Sequence, residues 1–178
     1  MSIKDLATGT VITLLIGGTA YTVSQTDVIR NFADDTGLTQ EQAEQYVNKI
    51  SEEELVGFDE AGLEFTNSGQ GGLSAASEID CVNYEYEWES VALSCYQGKT
   101  QLEKIGRDEI ALGQAYKNLS LDSASVDDIS KTISLIDQVN SNYELQIVRL
   151  FLDGSTIDEM KKANSYNKAV LQAALDGS

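Results

Sequence analysis

Residues suited to recognising a partner are concentrated in one short stretch, where aromatic and acidic side chains alternate. The aromatic members are Tyr84, Tyr86 and Trp88, and the interleaved carboxylates are Glu85, Glu87 and Glu89. Tyrosine and tryptophan dominate the hot spots of protein interfaces, because each buries a large apolar surface and keeps a polar group. We therefore predict an interaction surface here. The alternative is that Tyr84 and Trp88 belong to the apolar face of a helix.

The commonest forms of catalysis are excluded by what the chain lacks. Its 178 residues include no histidine. This absence excludes Ser-His-Asp and Cys-His nucleophilic sites and removes the usual general base near neutral pH. Carboxylates alone could form an acid–base pair, but no spacing in the sequence indicates one. We expect a protein that is not an enzyme, with no catalytic residues and no bound cofactor.

Metal binding would have to rely on carboxylates and two cysteines, which do not suffice for a closed zinc site. The carboxylates cluster at Asp34-Asp35, Glu52-Glu53-Glu54, Asp59-Glu60 and Asp127-Asp128. None of these clusters has the D-x-D-x-D-G spacing and closing glutamate of a calcium loop. Acidic residues in the first turns of helices explain most of them. The sequence therefore predicts no metal site.

The two cysteines, Cys81 and Cys95, are 14 positions apart. On one continuous helix this spacing separates their Cα atoms by about 21 Å, whereas a disulfide requires about 7 Å or less. The alternation in VNYEYEWE is compatible with a strand that turns back, which would allow the bond. We favour the continuous helix, and therefore free, mostly buried thiols in a reducing compartment.

The net charge is −17 and is unevenly distributed. Residues 27–64 carry −9, and residues 78–97 carry −5 without a lysine or arginine. This balance argues against direct binding to nucleic acid or anionic lipid, which requires basic side chains. It favours a protein partner with a basic surface. The alternative is a solvated acidic surface with no specific partner.

The N-terminal segment is uncharged from residue 6 to 26 and admits three interpretations. A β-hairpin would pair 10–16 with 19–25 across a Gly17-Gly18 turn, and the richness in Thr, Val, Ile and Tyr supports it. A membrane anchor over residues 6–26 has the required length but too many threonines and glycines. A signal peptide ending at Ala20 has a weak positive region. We favour the hairpin.

Helix signals follow the hairpin, and the absence of proline fits long helices. Thr26 is predicted as an N-cap and Gly37 as a stop, and Thr39 with Gln42 forms a capping box for residues 39–50. The Gly/Ser-rich stretch 67–77 indicates a linker. We therefore predict two units, 1–66 with a β-hairpin plus short acidic helices, and 78–178 with a helical bundle.

The second unit carries apolar residues at alternating steps of three and four, which is the pattern of a coiled-coil seam. One such stripe runs from Cys81 to Leu119, interrupted by Glu109, and another runs from Val126 to Leu150 with Asn140 at a core position. Ser125 with Asp128 caps the second helix, and a third helix begins after Asp153-Gly154. The fold class is therefore mainly α, with a long antiparallel helical hairpin closed into a bundle.

These observations predict a soluble, cytoplasmic, non-catalytic structural or adaptor subunit that docks on a protein partner through its helical hairpin. Three alternatives remain. One is an acidic inhibitor or nucleic-acid mimic that binds a basic protein. Another is a single-pass, membrane-anchored helical accessory protein. The third is an enzyme that uses carboxylates alone, which would need a pocket with raised carboxyl pKa values. Association with further copies of the chain is open, because a polar residue such as Asn140 at a seam position can fix an oligomeric state.

Overall fold

The computed structural model describes residues 11–16, 19–49, 73, 75–82, 89–119, 125–151 and 154–176, and most of them are helical. The prediction of a mainly α-helical protein is therefore confirmed. The strands are β1 (Val11–Ile16) and β2 (Thr19–Ser24). The helices are α1 (Gln25–Thr36), α2 (Gln40–Val47), α3 (Ala75–Glu78), α4 (Glu89–Leu119), α5 (Val126–Tyr143), α6 (Gln146–Phe151) and α7 (Gly154–Asp176).

β1 and β2 pair antiparallel, with Val11 opposite Ser24 and Ile16 opposite Thr19. Residues 17 and 18, predicted as the turn, lie outside the described residues. α1 follows β2 without a break, because Ser24 ends the strand and also occupies the N-cap position. The prediction of Thr26 as the N-cap is therefore wrong by two residues.

Within the described ranges, no helix is both long enough and apolar enough to cross a lipid bilayer.

The junction between α1 and α2 is built from local signals that the sequence shows. Gly37 ends α1 with a φ of 68°, a left-handed conformation that costs a residue with a Cβ atom about 1–2 kcal/mol. Its N–H donates to the carbonyl of Ala33 at 2.9 Å. Thr39 and Gln42 then form the predicted capping box, in which each side chain bonds the other residue's backbone N–H. Both predictions are confirmed, although α2 ends at Val47 instead of residue 50.

α4 and α5 run antiparallel. Asn142 and Tyr143 at the end of α5 bond Asp108 and Glu109, whereas Ile147 just beyond α5 lies against Gly98, so later residues on the α5 side meet earlier residues of α4. The Ser125–Asp128 capping box at the start of α5 is confirmed. These buried positions of α4 repeat at alternating steps of three and four: Leu102, Ile105, Glu109, Leu112, Tyr116 and Leu119. These positions belong to the predicted stripe.

Two features of the predicted helical hairpin are wrong. α4 begins at Glu89, so the stripe that starts at Cys81 does not lie on one helix. α5 ends at Tyr143 instead of continuing through Leu150. The physical reason for the second break is local tightening of the backbone. The N–H groups of Glu144 and Leu145 donate to carbonyls three residues earlier, at 3.2 and 3.1 Å, and α6 begins afresh at Gln146.

Cys81 and Cys95 form a disulfide, with Cα atoms 5.7 Å apart. The prediction of free thiols is therefore wrong. It assumed one unbroken helix, whereas only Cys95 lies on α4 and Cys81 lies in the segment that follows α3. The bond fastens this segment to the second turn of α4.

α7 lies at the centre of the fold and contacts α1, α5 and β2. Small residues at many of its positions allow this close packing, among them Ala163, Ala169, Ala173 and Ala174. An aromatic cluster joins α1, α2 and α7, because the Phe32 ring lies 4.8 Å from that of Tyr46 and 6.2 Å from that of Tyr166. Residues on both sides of the predicted linker thus share one hydrophobic core. The division into units 1–66 and 78–178 stays a prediction, and residues 67–72 lie outside the described part.

Candidate functional site

The aromatic and acidic stretch predicted as an interaction surface falls almost wholly outside the described residues. Residues 84–88 are not described, and Glu89 is described only as the first residue of α4. The six predicted residues are Tyr84, Glu85, Tyr86, Glu87, Trp88 and Glu89, and their role stays a prediction. All six lie between the two cysteines that the disulfide joins.

Exposed apolar side chains are concentrated at the same disulfide. Val82 is 55% exposed, Leu93 59% and Tyr96 41%, and we call these three residues the apolar patch. Within the described residues only one other large apolar side chain is exposed, Val126 at the start of α5. Leu93 and Tyr96 lie three positions apart, hence on the same side of α4. Val82 follows Cys81, whose Cα atom is 5.7 Å from that of Cys95. The three residues therefore belong to the two segments that the disulfide joins.

The segment that carries Val82 is held against α4 at several points. Cys81 is almost fully buried, and Ala76 of α3 is part of the hydrophobic core. Lys99 donates from Nζ to the carbonyl of Ile79 at 3.4 Å. Further along α4, Gly106 provides the room for Leu73, since a Cβ atom there would lie 2.6 Å from the Leu73 backbone nitrogen. The disulfide and these contacts therefore hold the segment that carries Val82 in place against α4.

A second notable feature is a buried polar pair in the interface between α4 and α5. Glu109 is fully buried, and its Oε1 accepts a hydrogen bond from the Tyr143 hydroxyl at 3.0 Å. Burial raises the pKa of Tyr143 well above its ordinary value, and the charge and hydrogen bond of Glu109 raise it further. Glu109 therefore does not interrupt the apolar stripe of α4 on its surface. It occupies an interior position, where the Tyr143 hydroxyl donates a hydrogen bond to it.

A hydrogen-bonded chain runs from this region towards the surface of α5 and α7. The Tyr116 hydroxyl donates to Asn164 Oδ1 at 2.9 Å, and Asn164 Nδ2 donates to Asn140 Oδ1 at 3.1 Å. Burial also raises the pKa of Tyr116, against the smaller opposite effect of a hydrogen bond from Asn167. Asn140, predicted as a polar residue in the seam, is half-buried and connects the interior to the surface.

The two buried tyrosines predict loss of stability in alkaline solution. A raised folded-state pKa keeps these hydroxyls protonated where the unfolded chain loses its protons, so their contribution is complete below about pH 10 and is lost above it. Each tyrosine should lower the free energy of unfolding by about 1.4 kcal/mol per pH unit above pH 10. Denaturant unfolding at several pH values measures this slope. Tyr116→Phe and Tyr143→Phe should each make it shallower, and an unchanged slope would contradict the assignment.

A third feature is an open cavity of about 270 Å³ between α5 and α7, which we call the polar groove. α7 contributes Lys161, Ser165 and Lys168, which share one side of the helix because they are four and three residues apart. α5 faces them with polar residues at the same kind of spacing, and α1 adds one carboxylate. These further lining residues are Asp137, Asn140, Ser141, Glu144 and Asp35.

Ion pairs occupy both ends of the polar groove. At one end, Lys168 Nζ lies 2.8 Å from Asp137 Oδ1 and 3.6 Å from Asp35 Oδ2. Burial raises the pKa of Asp35, and the charge and hydrogen bond of Lys168 offset only part of this rise. Burial alone would lower the pKa of Lys168, but the two carboxylates raise it on balance.

At the other end of the polar groove, Glu144 pairs with Lys161 and with Arg149. The hydrogen bond and charge of Lys161, together with Arg149, lower the pKa of Glu144. The polar groove therefore has a carboxylate-rich end and a cation-rich end.

The carboxylate clusters noted in the sequence have structural roles where they are described. Asp127 pairs with Lys131 at 2.5 Å, and Asp128 caps α5 through Ser125, whose hydrogen bonds lower the pKa of the Asp128 carboxyl. Among the described residues, no group of three or more histidine, cysteine, aspartate or glutamate side chains is placed to hold a metal ion. The clusters at residues 52–54 and 59–60 lie outside the described part.

The sequence indicated the neighbourhood of the apolar patch but missed Val82, Leu93 and Tyr96 themselves, since lone apolar residues beside a seam carry no distinctive signal. It also missed the polar groove, whose facing residues are 17 to 133 positions apart in the sequence. The i, i+4, i+7 spacing of Lys161, Ser165 and Lys168 was the one available signal.

Comparisons of the chain with protein families, with curated proteins and with solved structures found no match.

Proposed function

We propose that this protein is a non-catalytic structural or adaptor subunit of a larger assembly, and that it docks on a partner protein through the first turns of α4. The observation that carries this proposal is the apolar patch. Three of the four large apolar side chains exposed in the described residues are within two positions of a cysteine of the disulfide. A cluster of this kind marks an interaction surface more often than scattered exposed residues do.

The disulfide supports docking because it restricts the surface before binding. A fastened surface loses less conformational entropy on association than a loose one, so more of the contact energy contributes to affinity. The predicted recognition residues Tyr84, Tyr86 and Trp88 lie within the loop that the disulfide closes. We propose that they supply the aromatic contacts of the interface.

Charge indicates the chemistry of the partner. Residues 78–97 carry −5 with no lysine or arginine, and Asp80 beside the apolar patch is exposed. A partner with an apolar pocket surrounded by lysine and arginine would complement this surface, since charge complementarity accelerates association and excludes wrong partners. In this proposal the apolar contacts supply the lasting affinity.

The disulfide also changes the proposed location. The cytoplasmic location predicted from the sequence rested on free thiols, whereas disulfides persist in oxidising compartments. We therefore propose that the protein acts in an oxidising compartment. Of the described part of the chain, the structure adds that no helix is suited to span a membrane.

The test is capture of partners by the tagged, oxidised chain from the cells that produce it, with three versions compared. The double variant Leu93→Asp/Tyr96→Asp places charges in the apolar patch and should abolish capture of the partner that the unaltered chain retains. Val126→Asp is the matched control, because Val126 is a comparably exposed apolar residue at the start of α5. It should leave capture unchanged.

Thermal unfolding of all three versions checks that the substitutions leave the fold intact, as expected for exposed positions. If the double variant captures the same partner as fully as the unaltered chain, docking through the apolar patch is wrong. If Val126→Asp alone abolishes capture, the interface lies at the other end of the helical hairpin.

A further inference from the structure

We propose that the polar groove binds a short peptide in an extended conformation, with the peptide's carboxylate at the Lys161 end and its ammonium group at the Asp35–Asp137 end. This site is separate from the apolar patch, and the proposal does not rest on the docking function. It rests on the charge at the two ends, the groups between them and the distance that separates them.

The two ends of the polar groove carry opposite net charge. Lys168 is shared between Asp35 and Asp137, which leaves one negative charge in excess at that end. Glu144 is shared between Lys161 and Arg149, which leaves one positive charge in excess at the other. A ligand with an ammonium group and a carboxylate at its two ends would complete both sets of pairs.

One carboxylate is especially suited to receive the ammonium group. Asp35 lies 3.6 Å from Lys168, a longer separation than the 2.8 Å between Lys168 and Asp137. Burial disfavours the charged form of Asp35, so a second cation beside it would relieve a real electrostatic cost. The same cation would lie near Asp137, which is half exposed.

The middle of the polar groove offers hydrogen-bonding groups at the positions where a peptide backbone would lie. Ser165 is only 5% exposed and lines the polar groove. Its hydroxyl can both donate and accept a hydrogen bond. Asn140 and Ser141 face it from α5. Amide and hydroxyl groups of this kind suit the N–H and C=O groups of a peptide.

The distance between the ends sets the length of the ligand. Lys161 and Lys168 are seven residues apart on α7, which corresponds to about 10 Å along the helix axis. An extended chain advances about 3.3–3.6 Å per residue, so about three residues span that distance. Glycine residues present the peptide backbone to the polar lining without side chains of their own. The simplest probe is therefore triglycine with both termini free.

The test measures binding of triglycine to the oxidised full chain by calorimetry and by NMR shifts of the groove residues. Binding weaker than about 10 mM would overturn the proposal. Two capped peptides provide a matched comparison on the unaltered protein. N-acetyl-triglycine lacks the ammonium group and triglycine amide lacks the carboxylate, and each should bind at least about tenfold more weakly, since each loses a charge-assisted hydrogen bond. Equal binding of all three peptides would also overturn it.

Variants then locate the site. Lys161→Gln and Asp137→Asn should each weaken triglycine binding by about tenfold or more, and Ser165→Ala by a few-fold. Lys131→Gln is the control, because Lys131 forms a comparable exposed ion pair on α5 outside the polar groove. It should leave affinity unchanged. Thermal unfolding identifies any variant that loses its fold, and Ser165→Ala tests the site without breaking an ion pair. Unchanged affinity in all three groove variants would place the peptide elsewhere.

Discussion

Removal of the Cys81–Cys95 disulfide is expected to lower the free energy of unfolding by about 3 kcal/mol. The bond joins two residues with a sequence separation of 14. By closing this loop it lowers the conformational entropy of the unfolded chain, which contributes about 3 kcal/mol to the free energy of unfolding. This is a large fraction of the stability of an ordinary domain. The loss should be concentrated where the bond acts, in the segment around Cys81 and in the first turns of α4.

The measurement is denaturant unfolding of the oxidised protein, of the protein with reductant, and of the double variant Cys81→Ser/Cys95→Ser. Reductant should lower the midpoint for the unaltered chain and have no effect on the double variant, which supplies the control. In the double variant, backbone amide hydrogen exchange should be faster near Cys95 than near Leu112, a fully buried residue further along α4. Identical midpoints with and without reductant would show that the bond contributes no stability.

Replacement of Tyr143 with phenylalanine is expected to cost about 2–3 kcal/mol of stability. The hydroxyl donates to Glu109, a fully buried carboxylate, at 3.0 Å. A buried hydrogen bond to a carboxylate contributes more than one between neutral groups, and phenylalanine cannot supply the donor. The expected cost therefore exceeds that of removing one exposed hydroxyl.

A double-mutant cycle separates this effect from ordinary packing loss. Adding Glu109→Leu to the Tyr143→Phe variant replaces the carboxylate with an apolar side chain of similar size. The two substitutions should therefore cost less together than the sum of their separate costs, because replacing both partners of a buried pair avoids part of the penalty of removing one. Denaturant unfolding of the four proteins gives the coupling energy. Simple addition of the two single costs would mean that the pair is not coupled.

Local signals made part of the fold predictable from the sequence. The capping boxes at Thr39 and Ser125 and the glycine stop at Gly37 depend on residues a few positions apart, and all three are present. The helix break after Tyr143 was missed, because the apolar spacing continues past it to Ile147. Periodicity reports which residues are buried, but it does not report whether the backbone between them is continuous.

The candidate sites were less predictable because they depend on contacts between distant segments. The disulfide was misjudged because the spacing of Cys81 and Cys95 was interpreted on a single helix, whereas α4 begins only at Glu89. Glu109 looked like an interruption, since its partner Tyr143 is 34 positions away. The polar groove unites α1, α5 and α7, and no pattern within one helix predicts that Asp35 meets Lys168.

The most direct test of the proposed docking is the salt dependence of the captured complex. The oxidised chain would be bound to its partner at low salt and then washed at about 0.5 M salt, where interactions between exposed charges are largely screened. We expect the partner to remain bound, because apolar contacts at Val82, Leu93 and Tyr96 do not depend on unscreened charge. Complete release of a basic partner in that wash would contradict the adaptor proposal and indicate an acidic inhibitor held by charge.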